Sequence, residues 1–170
     1  MPTPGYMKIK GTTQGDMTAD VGSEKSMGNI WQKGHEGEIT VQGFNHEVTV
    51  PVDSQSGQPT GHRIHKPFIV SKVFDKSSPL LYQALCKGEV LTEVVLTWWR
   101  TSVSGKPEHY FTHKLEDAVI VQIHASMPHC QDLNMKNFTH LEDIYFSYRK
   151  ISWTHVVSAT DSSDDWRDRG

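Results

Sequence analysis

Residues 90–115 read Val90-Leu91-Thr92-Glu93-Val94-Val95-Leu96-Thr97-Trp98-Trp99-Arg100-Thr101-Ser102-Val103-Ser104-Gly105-Lys106-Pro107-Glu108-His109-Tyr110-Phe111-Thr112-His113-Lys114-Leu115. Val90 to Arg100 is apolar and β-branched and ends on two tryptophans, a composition that fits a pleated, half-buried strand. Ser102 to Pro107 gathers the turn formers, and Glu108 to Leu115 brings the chain back. An antiparallel hairpin follows, and the rest of the chain has to be read as its neighbours.

Those neighbours show the two-residue period of strands. Tyr6 to Lys10 puts Met7 and Ile9 on one face, and Glu38 to Phe44 sets Ile39 and Val41 against Thr40 and Gln42. His46 to Val52, Phe68 to Val73 and Ala118 to Ala125 repeat the pattern, and Leu141 to Trp153 forms the last long strand. One helix stands out. Ser77-Ser78-Pro79 suits its N-terminus, Leu81, Ala84 and Leu85 form its apolar stripe, and Gly88 suits its left-handed cap. About eight strands with one short helix predict a mainly β fold, a barrel-like pair of antiparallel sheets flanked by that helix. Gly11 to Gly34 reads as a loop. The domain is expected to span 1–157, with 158–170 a flexible acidic C-terminal tail that Trp166 could anchor late.

The 170 residues carry a formal charge of −3, without the basic excess that phosphate backbones attract, so no nucleic-acid partner is expected. No run approaches the roughly 20 apolar residues of a membrane helix, and no membrane insertion is expected. Met1-Pro2-Thr3-Pro4-Gly5 lacks a basic n-region and an apolar h-region, so the chain is read as starting in the cytoplasm and leaving, if it leaves, without a cleaved signal peptide.

Ten histidines invite a test for metal. His62-x-x-His65 has no third ligand near it in sequence. His109 and His113, on one strand face, stand about 13 Å apart, too far to share a zinc. No metal or other cofactor is expected. Cys86 falls in the last turn of the helix, whose partial negative charge raises a thiol pKa, so it reads as a small buried hydrophobe. The adjacent acids Glu142-Asp143 and Glu116-Asp117 diverge if extended and read as solvated. No catalytic constellation emerges, and no enzyme is expected.

Pro51 to Gly61 holds too many turn formers to continue a central strand and is long for a connection. Together with strands that are apolar on both faces, it predicts a domain that associates. A series of motifs, in order, carries a resemblance: Tyr6-Met7-Lys8-Ile9-Lys10-Gly11, His35-Glu36-Gly37-Glu38-Ile39, Ser56-Gly57-Gln58-Pro59, His65-Lys66-Pro67, Ser78-Pro79-Leu80-Leu81, Met127-Pro128-His129-Cys130-Gln131-Asp132 and Tyr148-Arg149-Lys150-Ile151-Ser152-Trp153-Thr154-His155. From about Tyr6 to His155 the chain resembles the haemolysin co-regulated proteins (Hcp), which form the tube of the type VI secretion system.

The resemblance implies a homohexameric ring, rings stacked into a hollow tube inside a contractile sheath, and spike, sheath and baseplate components as partners. It also implies small effector proteins carried in the lumen. On this reading Val52, Asp53, Gln55, Gly57, Pro59, His62 and Arg63 form a ring-stacking loop, and acid weakens stacking through His62 and His65. Thr40, Gln42 and Asn45 are the expected lumen contacts. The alternative is a monomeric β-barrel binding module that uses Trp98 or Trp99 for a small apolar or sugar ligand.

Overall fold

The computed structural model describes residues 3–168. Its strands are β1 (Gly5–Gly11), β2 (Gly15–Asp16), β3 (Ile39–Asn45), β4 (Val48–Thr49), β5 (Ile64–His65), β6 (Phe68–Val73), β7 (Leu91–Thr101), β8 (Pro107–Ser126), β9 (Leu141–Ser147), β10 (Lys150–His155) and β11 (Thr160–Asp165). The helices are α1 (Glu24–Met27) and α2 (Ser78–Lys87). The hairpin at 90–115 forms as β7 and β8, and β1 pairs with the other edge of β7.

From β1 the wall runs through β3 and β6 to β9, which returns to β8 and closes an antiparallel barrel. Closure is possible because β8 is 20 residues long. Its first part, up to Ala118, pairs with β7, and its second part, from Val119, pairs with β9. Asp117, at φ 49°, lies one residue before the last β7 pair, next to the change of partner. The segments read separately as Glu108 to Leu115 and Ala118 to Ala125 are therefore one strand.

The reverse happens at Leu141 to Trp153, where the expected single strand divides at Tyr148-Arg149 into β9 and β10. Both lie along β8, but the far edge of β9 is taken by β6 and the far edge of β10 by β11. Alternating positions of these strands fill the barrel: Met7, Ile9, Ile39, Phe68, Leu96, Leu115, Ile144 and Phe146 are inaccessible to water. Burying each large apolar side chain contributes about 1.5–3 kcal/mol. The loop after β1 also supplies the core, since Met17 and Val21 are buried although no period announced them.

Helix α2 packs on β8 through Leu81 and Ala84, and Gly88 ends it at φ 64°, in the left-handed region where a side chain is strained. At its N-terminus Ser77 does not cap by its side chain; Asp75 Oδ1 accepts from the Ser77 N–H at 2.9 Å instead. Cys86, read as buried, is exposed, because the stripe of this short helix is used up by its neighbours. A second correction concerns the C-terminus. The stretch read as a flexible tail contains β11, paired along its whole length with β10 from Lys150↔Asp165 to His155↔Thr160.

Candidate functional site

The chain between β3 and β6 leaves the barrel as a hairpin arm. Val48 pairs with His65 and Thr49 with Ile64 at its root. Beyond them Thr60 N–H bonds to Pro51 O at 2.8 Å, Val52 bridges Pro59, and Asp53 N–H bonds to Gln58 O at 2.8 Å. The loop read as unable to continue a sheet thus folds on itself as a ladder. Its tip is closed by Asp53, whose carboxylate accepts from Gln55 N–H at 3.1 Å and Ser56 Oγ at 2.7 Å. Gly57, at φ 70°, supplies the left-handed turn residue. Val48, Val50, Val52 and Ile64 are 41–59% exposed, an apolar set that the other described residues leave open to solvent.

Of the expected stacking residues, Val52, Gln55, Gly57, Pro59 and His62 are exposed on the arm and Asp53 is half-buried. Arg63 points the other way. Its Nε donates to Asp164 Oδ2 at 2.8 Å, and one terminal nitrogen donates to the carbonyls of Asp165 and Asp168 at 2.8 and 2.6 Å. His65, expected beside His62 in a ring contact, is 5% exposed. Its Nδ1 lies 2.8 Å from Tyr148 Oη and its Nε2 2.5 Å from Asp164 Oδ2. The Arg63 hydrogen bond, against the opposing effect of burial and with help from His65, holds Asp164 below the usual carboxylate range. These contacts explain β11, since strand-poor Ser and Asp are held by an arginine and a histidine from the root of the arm.

Beyond the end of β3, His46 Nε2 lies 2.6 Å from the same Tyr148 hydroxyl. Burial, followed by the effect of His65, lowers the His46 pKa, while burial and then Asp164 push Tyr148 up. On β8, His113 Nδ1 accepts from Trp98 Nε1 at 2.7 Å, and burial, with His46 second, brings its pKa down to about 4. Both imidazoles are kept neutral.

Trp98 and Trp99 part company at a β-bulge. Trp98 packs against Phe44 and His113, and Trp99 against Tyr6, His35 and His109. Both border an open cleft of about 810 Å³ at this end of the barrel, with Phe44, Tyr110, Phe111 and His113. Gly5 is required in its floor, because a Cβ there would stand 2.4 Å from the Trp98 ring. Among the expected lumen residues, Thr40 is half-buried and Gln42 and Asn45 are exposed. Thr40 and Gln42 line one shallow depression with Gln32, and Asn45 stands where β3 gives way to the arm.

At the opposite end of β6, Lys72 is inaccessible to water and its Nζ lies 2.5 Å from Glu142 Oε1 and 3.0 Å from Asp75 Oδ1. Glu142, read as solvated, is therefore buried and paired, and Ser78 Oγ donates to it at 2.6 Å. Periodicity would have shown Lys72 in line with buried Val70 on β6, the one signal that sequence offered for this cluster.

A closed β-barrel with one flanking helix and a protruding arm defines the class. Residues 6–155 match the family model described as type VI secretion system effector, Hcp. The chain belongs to the Hcp family of type VI secretion proteins. It is 59% identical over 167 residues, 98% of this chain and 97% of the relative, to the major exported protein of Pseudomonas aeruginosa. A crystal structure of an Hcp protein superposes with a TM-score of 0.92 at 49% identity, covering 96% of this chain and 99% of that one. The secreted protein Hcp3 from Pseudomonas aeruginosa superposes with a TM-score of 0.84 at 52% identity, covering 98% and 99%.

Proposed function

We propose that this chain is a structural subunit of the type VI inner tube. It forms homohexameric rings that stack, and it is assembled in the cytoplasm before export. The observation that carries this reading is the arm: four exposed apolar side chains project from a barrel whose own core is already closed. Such a set in a soluble fold is an association surface. Family membership supplies the kind of assembly. Spike, sheath and baseplate components are the corresponding partners, and small effector proteins occupy the lumen.

Val52, Asp53, Gln55, Gly57, Pro59 and His62 make the ring-to-ring contact, while Arg63 fixes the arm to its own subunit. Deleting 54–58 leaves the barrel folded and reduces sedimentable tube. A deletion that unfolds the barrel, or tubes that sediment unchanged, overturns this role for the arm. Thr40, Gln42 and Asn45 face the lumen; Asn45→Trp lowers co-purification of an effector while the ring persists, and unaltered effector recovery excludes that face.

The cleft at Trp98 favours a second reading, a monomeric binding module for a small apolar ligand, since its volume and aromatic lining suit one. Saturable quenching of tryptophan fluorescence by such a ligand in a strictly monomeric protein would establish it.

A further inference from the structure

The Tyr148 hydroxyl stands between two imidazoles with one proton to give, His46 Nε2 at 2.6 Å and His65 Nδ1 at 2.8 Å. His65 Nε2 faces only the Asp164 carboxylate, which accepts and cannot donate, so that nitrogen carries hydrogen. With both imidazoles neutral, the remaining bonds have one consistent direction. His46 Nε2–H donates to Tyr148 Oη, and Tyr148 Oη–H donates to His65 Nδ1. The four groups come from the end of β3, from β5 at the root of the arm, from the β9–β10 junction and from β11.

We propose that His46, Tyr148, His65 and Asp164 form a relay that accepts one proton and refuses a second, and that it seats the C-terminal strand on the root of the arm. A proton entering the chain resides on His65, between the Asp164 carboxylate and Tyr148. His65 Nδ1–H then donates to Tyr148 Oη. The tyrosine proton turns to His46 Nε2, and His46 becomes its Nδ1–H tautomer. The three hydrogen bonds that join the four side chains are all kept, and the contact to β11 becomes a charge-assisted one. A second proton, on His46, would set Nε2–H and Nδ1–H donors against one hydroxyl whose own hydrogen has no acceptor, an arrangement that costs a buried unpaired donor.

The other charged and titratable groups nearby fit this limit. Arg63 already occupies Asp164, His113 lies 6.5 Å from His46 between ring centroids, and Arg149 pairs with Asp117 and Asp165. Phe68 and Trp166 pack against the two imidazoles with rings that do not titrate. Acid therefore tightens the root of the arm, and any weakening of stacking by acid falls to His62 alone, because His65 faces its own subunit.

The test uses the full chain labelled with 13C-histidine, whose Cδ2 shift distinguishes the two neutral tautomers and the imidazolium, followed from about pH 8 to 5. Amide exchange in 160–165 is read on the same samples. The relay predicts that His65 becomes imidazolium and His46 changes tautomer in one concerted step, with exchange in β11 unchanged or slowed. In Tyr148→Phe, His46 keeps one tautomer while His65 protonates. In Asp164→Asn, which removes the charge at a half-exposed position, exchange across β11 rises about tenfold at the acid end. A His46 tautomer indifferent to His65 in the unsubstituted chain overturns the relay. So does conversion of both rings to imidazolium together, or β11 exchange that ignores Asp164→Asn.

Discussion

In the barrel wall, Ile39, Val70 and Ile144 are sealed from water, whereas in the arm Val48, Val50, Val52 and Ile64 stand 41–59% exposed. The residue types are the same and the outcome is opposite. The difference lies in partners: each wall strand has a neighbour on both edges, while the arm pairs only with itself. Burial in the wall therefore stabilises the subunit alone, and burial of the arm can stabilise only something larger. Between the two sits the Arg63–Asp164–His65 contact, which ties the root of the arm to the C-terminal strand with polar bonds.

Breaking the wall should have the largest effect. Lys72→Ala leaves Glu142 and Asp75 buried without their cation, and we expect a loss of about 3–5 kcal/mol in urea unfolding. A loss below about 1 kcal/mol would mean that the cluster is not charged as its distances suggest.

Acid should act on the wall next. His113 has a folded pKa of about 4 against roughly 6.5 when unfolded, and His46 is lowered too. The unfolded state then binds protons that the folded state refuses. Stability is level above about pH 7 and falls between about 6.5 and 4, by up to about 3 kcal/mol for His113. Unfolding at pH 7.5, 6 and 5 checks the slope, and His113→Gln, which keeps an acceptor for Trp98, should flatten it. A level profile in the unsubstituted chain would show that His113 takes up its proton when folded.

Substitution at the junction costs less. Arg63→Ala removes one ion pair and two bonds to carbonyls at a half-exposed site, a smaller loss in unfolding than either change to the wall, with β11 protected less from proteolysis than β10. Equal protection of the two strands would detach Arg63 from that role. Smallest is the effect of the arm tip on the subunit itself. Deletion of 54–58 should change the unfolding free energy by less than about 0.5 kcal/mol, because its contacts are local turns. A larger loss would make the arm part of the barrel.

Much of the wall was legible because period-two alternation reports a face buried against the same core, as in Ile39/Val41 or Ile144/Phe146. The helix was legible for a similar reason, with Pro79 and Gly88 marking its ends. What escaped depended on charges distant in sequence. Thr160 to Asp165 reads as a solvated acidic tail until Arg63 and His65, 101 and 99 residues from Asp164, are brought beside it. Glu142 reads as solvated until Lys72, 70 residues away, lies against it on the next strand. The arm was found by its length and turn residues, but its internal ladder was not, since Pro59 and Gly57 weaken a strand pattern without forbidding a single bridge. Of the expected site, His62 keeps its exposed place, whereas Arg63 and His65 belong to the fastening of the arm.

The central claim is that this subunit assembles with copies of itself into a ring, and the mass of the particle in solution tests it most directly. Light scattering across a gel-filtration peak should give about six times the mass of one chain. A strict monomer that persists at high protein concentration would contradict the account.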